Sequence, residues 1–161
     1  MFAKIYSMKF SEIRLNKDIQ EAISDLGFVD LTPIQQETIP YLLENETDLI
    51  ALAQTGTGKT AAFGLPILHK IKADTKIPQA IILCPTRELC LQISKDMNSY
   101  AKYIKSLKVT PVYGGASIAP QIKLLKSGTH IIVGTPCMYF FLCYRSISHQ
   151  HKYKYHRNIS Y

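Results

Sequence analysis

The stretch Ala53-Gln-Thr-Gly-Thr-Gly-Lys-Thr60 decides the fold of this chain. It follows a short apolar run at residues 48–53 and opens a stretch with helical spacing that extends to about residue 72. A glycine-rich turn between a strand and a helix lets backbone N–H groups converge on an anion at the positive end of the helix dipole. A turn of this kind that ends in Gly-Lys-Thr is typical of a phosphate-binding loop.

The residue types in this loop predict separate roles. Gly56 and Gly58 let the backbone turn its N–H groups inward, Lys59 reaches the β- and γ-phosphates of a nucleotide, and the Thr60 hydroxyl ligates Mg²⁺. The alternative is a glycine-rich turn that carries Lys-Thr without a nucleotide. We predict a nucleotide site with Mg²⁺ that uses Ala53, Gln54, Thr55, Gly56, Thr57, Gly58, Lys59 and Thr60.

Helical and strand patterns alternate along the rest of the chain. Helices are predicted from Asn16 to a stop at Gly27, from Thr32-Pro33 onward, from Pro85 to about residue 103, and over about 118–126. Strands are predicted at residues 48–53, 79–84, 107–113 and 130–133. Alternation with short connections predicts an α/β fold, a parallel sheet with helices on both faces.

Length and composition exclude several classes of protein. With 161 residues, of which 47% are hydrophobic and 19% charged, the chain is long enough for one domain and too apolar for wholesale disorder. Neither a membrane span nor a secretory signal is visible, which predicts a soluble cytoplasmic protein. The four cysteines lack metal-ligand spacing, so we expect reduced, buried thiols.

Further motifs precede and follow the loop. Phe10, Gly27-Phe28 and Thr32-Pro33-Ile34-Gln35 come before it, and Pro85-Thr-Arg-Glu-Leu89, Gly114-Gly115 and Val133-Gly-Thr-Pro136 come after it. Their order and spacing resemble the Q motif, motif I, motif Ia, the glycine pair and the start of motif Ib of DEAD-box RNA helicases. The resemblance covers about residues 9–136 and implies a P-loop (RecA-like) parallel sheet that is incomplete at its C-terminal side.

The resemblance also implies ligands and contacts. ATP and Mg²⁺ would be the cofactors, and the partner would be RNA, single-stranded or duplex, held by its backbone. The adenine-binding residues would be Phe10, Phe28 and Gln35, and the RNA-binding residues would be Pro85, Thr86, Arg87, Gly114, Gly115 and Thr135. Taken without the family, Gln35 is a solvated helix residue, Arg87 pairs with Glu88, and Gly114-Gly115 is an ordinary turn.

The chain departs from the family pattern after Pro136. Cys137-Met138 stand where motif Ib continues with Gly-Arg, and no Asp-Glu-Ala-Asp follows. The pattern divides the chain into an N-terminal extension (1–8), a partial ATP-binding domain (9–136) and a tail (137–161) with four basic residues and no acid. The tail is either a basic aromatic arm that stacks on bases or an out-of-frame or truncated sequence. Its composition favours the second interpretation.

These departures limit the expected chemistry. Hydrolysis of a nucleotide needs a carboxylate at the end of a second apolar strand, and the acids after the loop, Asp74, Glu88 and Asp96, do not follow one. We therefore expect an ATP-binding chain that neither hydrolyses ATP appreciably nor unwinds RNA alone. One alternative is a non-catalytic nucleotide- or RNA-binding module. Another is a different P-loop enzyme such as a kinase or GTPase, but the sequence shows no guanine-binding motif of the kind a GTPase carries.

Overall fold

The computed structural model describes residues 8–138. The chain divides into two compact units, Met1–Lys70 with Ser99–Ile104 and Ile71–Asn98 with Lys105–Tyr161. The predicted extension (1–8) and tail (137–161) lie outside the described residues, apart from Met8, Cys137 and Met138. In the part of the chain that is described, no helix is long and apolar enough to cross a membrane.

The first unit is helical. A single-turn 3₁₀ helix at Phe10–Glu12 precedes α1 (Lys17–Asp25), α2 (Pro33–Glu44) and α3 (Lys59–Lys70). The predicted helix stop is confirmed, because Gly27 turns the chain away from α1 with a φ of +74°. Helix α2 packs on α3, and the core of this unit consists of fully buried aliphatic side chains: Ile19, Ile23, Ile39, Leu65 and Leu68.

The second unit contains the sheet. Its strands are β1 (Ala80–Leu83), β2 (Val109–Val112) and β3 (Ile131–Gly134), with α4 (Arg87–Tyr100) after β1 and α5 (Ile118–Lys126) after β2. The strands are parallel in the order β1-β3-β2. The predicted α/β fold is confirmed as an open, three-stranded parallel sheet flanked by helices, and the core side chains Ile82, Val112, Ile131 and Val133 are fully buried.

The strand predicted at residues 48–53 is wrong for the described structure. This segment forms neither a helix nor a strand, and no residue within 8–138 forms a β-ladder with it. A strand is defined by the neighbouring strand that pairs with its N–H and C=O groups, and the described part of the chain provides no such neighbour. In consequence, the side chains of Ile50 and Leu52 are each 90% exposed.

The cysteines only partly follow the prediction. Cys84 and Cys90 are buried and free, whereas Cys137, predicted to be buried, is exposed, and Cys143 lies outside the described residues. Burial, with a smaller contribution from Cys90, raises the pKa of the Cys84 thiol to about 12. Burial also raises the pKa of Cys90. Since the thiolate is the reactive form, the two buried cysteines behave as small core residues.

Candidate functional site

The predicted phosphate loop has the backbone that an anion site requires. Gly56 and Gly58 adopt φ angles of +79° and +83°, in the left-handed region that residues with a Cβ rarely enter. Helix α3 begins at Lys59 directly after the loop. Within residues 8–138, the backbone N–H groups of Gly56, Gly58 and Lys59 donate to no protein acceptor. The loop therefore presents free donors at the N-terminus of a helix.

Gln35 ties the loop to helix α2. Its Oε1 accepts the backbone N–H of Thr32 at 3.0 Å, and its Nε2 donates to the backbone oxygen of Gly58 at 3.0 Å. The side chain is only 3% exposed, so the interpretation of Gln35 as a solvated helix residue is wrong. A Cβ added to Gly58 would lie 2.3 Å from Gln35 Nε2. Gln35, the third residue of α2, therefore occupies the space that a side chain at position 58 would need.

The Lys59 ammonium lies inside the loop. It donates to the backbone oxygens of Ala53 at 2.7 Å and Gln54 at 2.5 Å. The Thr57 hydroxyl also donates to the Gln54 oxygen, at 2.7 Å. The cation is therefore held where a phosphate approaching the free N–H groups would meet it.

The loop residues fit a nucleotide phosphate with Mg²⁺. The free N–H groups of Gly56, Gly58 and Lys59 at the start of α3 are the donors that a phosphate requires. Thr60, in the first turn of α3, supplies the hydroxyl that the predicted Mg²⁺ site needs.

The two predicted aromatic contacts to adenine lie together. The backbone of Phe10 donates to the Val29 oxygen at 3.0 Å, which brings its ring to 5.9 Å from the ring of Phe28, measured between centroids. Phe10 is almost wholly buried, whereas Phe28 is 37% exposed. Of the two rings, Phe28 therefore has more surface free for stacking on a base.

The predicted RNA contacts follow the ends of three neighbouring strands. Leu83 of β1 and Val112 of β2 both lie opposite Gly134 of β3, so the three strands end level with one another. The carboxyl ends of parallel strands meet at one edge of a sheet, where α/β proteins bind ligands. The topology therefore brings all of the predicted RNA contacts to this carboxyl edge of the sheet, which we call the strand edge: Pro85, Thr86, Arg87, Gly114, Gly115 and Thr135.

Arg87 is the cation at this edge. Its guanidinium lies over the Tyr113 ring, 4.8 Å from the centroid, and its Nη1 donates to the Gly115 oxygen at 3.3 Å. The expected ion pair with Glu88 is not formed; in residues 8–138 the salt bridge is the one between Lys102 and Asp25. Arg87 is exposed, and its charge is free for an anion.

The remaining strand-edge residues have local roles as well. The Thr86 hydroxyl accepts the backbone N–H of Leu89 at 3.2 Å and so caps α4. Gly115 turns the chain with a φ of +76°, and the Thr135 backbone donates to the Val112 oxygen at 3.1 Å. Pro85 and Gly114 are exposed.

Two residues of this edge were missed from the sequence, Tyr113 and Gln121. Gln121 is 7% exposed and bonds both backbone groups of Tyr113, its Oε1 accepting the N–H at 3.0 Å and its Nε2 donating to the oxygen at 3.1 Å. A signal was available, because Gln121 stands with Ile118 and Leu125 at helical spacing. A polar residue on an apolar helix face needs a specific partner.

Comparison with known proteins identifies similar sequences and structures. The DEAD/DEAH box helicase family model matches residues 32–161. The chain is 52% identical over 129 residues to the DEAD-box ATP-dependent RNA helicase CshA of Streptococcus pneumoniae, an alignment that covers 80% of this chain and 24% of that protein. It is 46% identical over 127 residues to the ATP-dependent RNA helicase DeaD of Mycobacterium tuberculosis, covering 79% and 22%.

A solved structure shares the fold. The crystal structure of a DEAD box protein from the hyperthermophile Methanococcus jannaschii superposes with a TM-score of 0.81 and 41% sequence identity, covering 86% of this chain and 38% of that one. The present chain spans about a quarter of the length of the curated relatives that it matches.

Proposed function

The chain belongs to the DEAD/DEAH box helicase family, and on that premise we propose that residues 53–60 bind ATP with Mg²⁺ while the strand edge binds an RNA backbone. RNA unwinding driven by ATP, the activity in the names of the relatives, is the larger process to which we assign both binding events. The proposal includes a cytoplasmic location and RNA that is either single-stranded or duplex.

The phosphate loop is the observation that carries the proposal. Gly56 and Gly58 have positive φ angles and free N–H groups, and the Lys59 ammonium lies against the same loop. Donors arranged around a cation at a helix N-terminus favour a polyphosphate over a neutral ligand. When bound, Mg²⁺ would neutralise phosphate charge, and Thr60 is the residue of this loop that would ligate it.

Gln35 supports an adenine nucleotide. One N–H of its amide is used by the Gly58 oxygen, which leaves the second N–H of the same group for a ring nitrogen. The partly exposed ring of Phe28 is the aromatic face that we assign to the base. This assignment favours ATP over GTP and disfavours the GTPase alternative.

We expect a polypeptide of these 161 residues to bind ATP without appreciable turnover. None of its acids after the loop ends a strand: Asp74 lies in a turn, Glu88 in the first turn of α4 and Asp96 further along α4. Burial also raises the pKa of Asp96, which disfavours its ionised form. Phosphate release from Mg·ATP, measured with and without RNA, should stay at the level of a protein-free blank. Steady turnover that disappears in the Lys59→Ala variant would contradict this expectation.

RNA binding at the strand edge is tested through Arg87. Replacing Arg87 by alanine should weaken binding of a single-stranded RNA oligomer about equally for different sequences and reduce the slope of log K against log salt by roughly one. The reason is the loss of one cation that contacts a phosphate. Fluorescence anisotropy titrations at several salt concentrations measure both quantities.

Lys126→Ala is the matched control. It removes the same charge, but Lys126 ends α5 at the amino edge of the sheet, just before β3. It should leave the salt slope nearly unchanged. Equal effects of the two substitutions would mean that the protein attracts RNA by its overall charge only and that the strand edge is not the site.

A further inference from the structure

The Tyr113 ring and the Gly115 backbone oxygen hold the Arg87 guanidinium at the strand edge. A side chain that reaches into solvent from the first turn of a helix has several rotamers of similar energy. Here one rotamer is selected, because the Tyr113 ring supports the guanidinium at 4.8 Å and the Gly115 oxygen accepts its N–H at 3.3 Å. The position of the Tyr113 ring therefore decides where the cation points.

Tyr113 is fixed in turn by Gln121. Tyr113 directly follows β2, so its backbone has passed the last residue of the ladder with β3. The Gln121 amide takes the place of a neighbouring strand by bonding both its N–H, at 3.0 Å, and its oxygen, at 3.1 Å. A further bond from Nε2 to the Ser117 oxygen, at 3.3 Å, holds the amide itself in place.

We propose that Gln121 and Tyr113 are positioning residues that hold Arg87 in the orientation in which it binds an RNA phosphate. The inference rests on the proposed function, since it deepens the role of the same strand edge. Gln121 contacts no RNA in this scheme and acts through Tyr113. Within the second unit, the buried Gln121 amide bonds the Tyr113 backbone, and the Tyr113 ring contacts the Arg87 guanidinium.

The matched control for Gln121 is Gln79. Its side chain makes the same kind of clamp elsewhere, accepting the backbone N–H of Lys72 at 2.9 Å and donating to the Lys72 oxygen at 2.8 Å. Replacing either glutamine by methionine keeps the length of the side chain and removes both bonds. Only the Gln121→Met substitution should change the orientation of the Arg87 side chain.

The expected result is a loss of RNA affinity in Gln121→Met of about threefold to tenfold, the range in which a cation–π contact and its orientation contribute. Gln79→Met should bind RNA like the parent chain. Tyr113→Leu should resemble Gln121→Met, and Tyr113→Phe should retain affinity because the ring is kept. Anisotropy titration with one single-stranded RNA oligomer measures all four variants.

A double-mutant cycle separates positioning from a general defect. In an Arg87→Ala background, Gln121→Met should produce almost no further loss, since the residue that it positions is gone. Additive losses would overturn the inference, as would parent-like affinity in both Gln121→Met and Tyr113→Leu. If Gln121→Met does not fold, Tyr113→Leu and Tyr113→Phe in the same cycle decide the question. If Arg87→Ala alone leaves RNA affinity unchanged, the proposed RNA site itself is wrong. That outcome is distinct from a failure of the positioning role alone.

Discussion

Replacing Lys59 by alanine is expected to weaken the binding of Mg·ATP at least about a hundredfold. A hydrogen bond between charged groups contributes about 1.5–3 kcal/mol, and Lys59 is expected to contact two phosphate groups at once. Losing both contacts corresponds to roughly 3 kcal/mol, or a factor of about 100 in the dissociation constant. Isothermal titration calorimetry of the parent chain and the variant measures the ratio directly.

Lys70→Ala supplies the matched control for this experiment. Lys70 is the last residue of the same helix and carries the same charge, and its ammonium contacts only the Asn45 backbone oxygen in the described structure, at 3.3 Å. Its removal should leave the affinity for ATP within about twofold, because surface contacts of this kind contribute little. Parent-like binding by Lys59→Ala would show that ATP does not use this loop.

Replacing Gly58 by alanine is expected to lower the free energy of unfolding by about 3 kcal/mol and to abolish ATP binding. The left-handed backbone contributes about 1–2 kcal/mol of strain. The new Cβ would lie 2.3 Å from Gln35 Nε2. The Gln35 side chain can move away, but it then leaves the partly buried Thr32 N–H without its acceptor, at about 1–3 kcal/mol, while the Gly58 oxygen keeps the Ala62 N–H as a donor. Urea unfolding and calorimetry measure the two effects.

Two other glycines separate strain from steric conflict. Gly56 and Gly27 have similar φ angles, +79° and +74°, and neither would bring a new Cβ within 4 Å of another atom. Gly56→Ala and Gly27→Ala should each lower the free energy of unfolding by only the strain, about 1–2 kcal/mol. Gly27→Ala should also bind ATP normally. Equal losses of stability in all three variants would show that Gln35 does not depend on the space beside Gly58.

Much of the fold follows from local patterns that the sequence displays. The starts of α1 and α2 and the turn at Gly27 depend on neighbouring residues alone, and each was predicted. The apolar run at 48–53 predicts a strand because apolar residues are typical of buried strands, but strand pairing is a long-range property that a local pattern does not determine.

The candidate site was only partly predictable for the same reason. Lys59 and Arg87 were identified because their residue types imply chemistry in a motif. The burial of Gln35 beside Gly58, 23 positions further along the sequence, depends on how α2 packs on α3. The contact of Gln121 with the Tyr113 backbone depends on how α5 packs beside the end of β2. Neither partner is adjacent in the sequence, so the glutamines looked like ordinary polar helix residues.

The internal bonds of Lys59 are expected to make a nucleotide bind more slowly and more weakly than the loop alone would allow. Because the ammonium already bonds the backbone oxygens of Ala53 and Gln54, an incoming phosphate competes with the loop itself. The apparent dissociation constant is then the intrinsic one divided by the fraction of molecules in which the ammonium is released. If about one molecule in ten has released it, the apparent affinity is about tenfold weaker than the loop could provide. On the proposed function, Lys59 therefore both binds the phosphate and slows its binding.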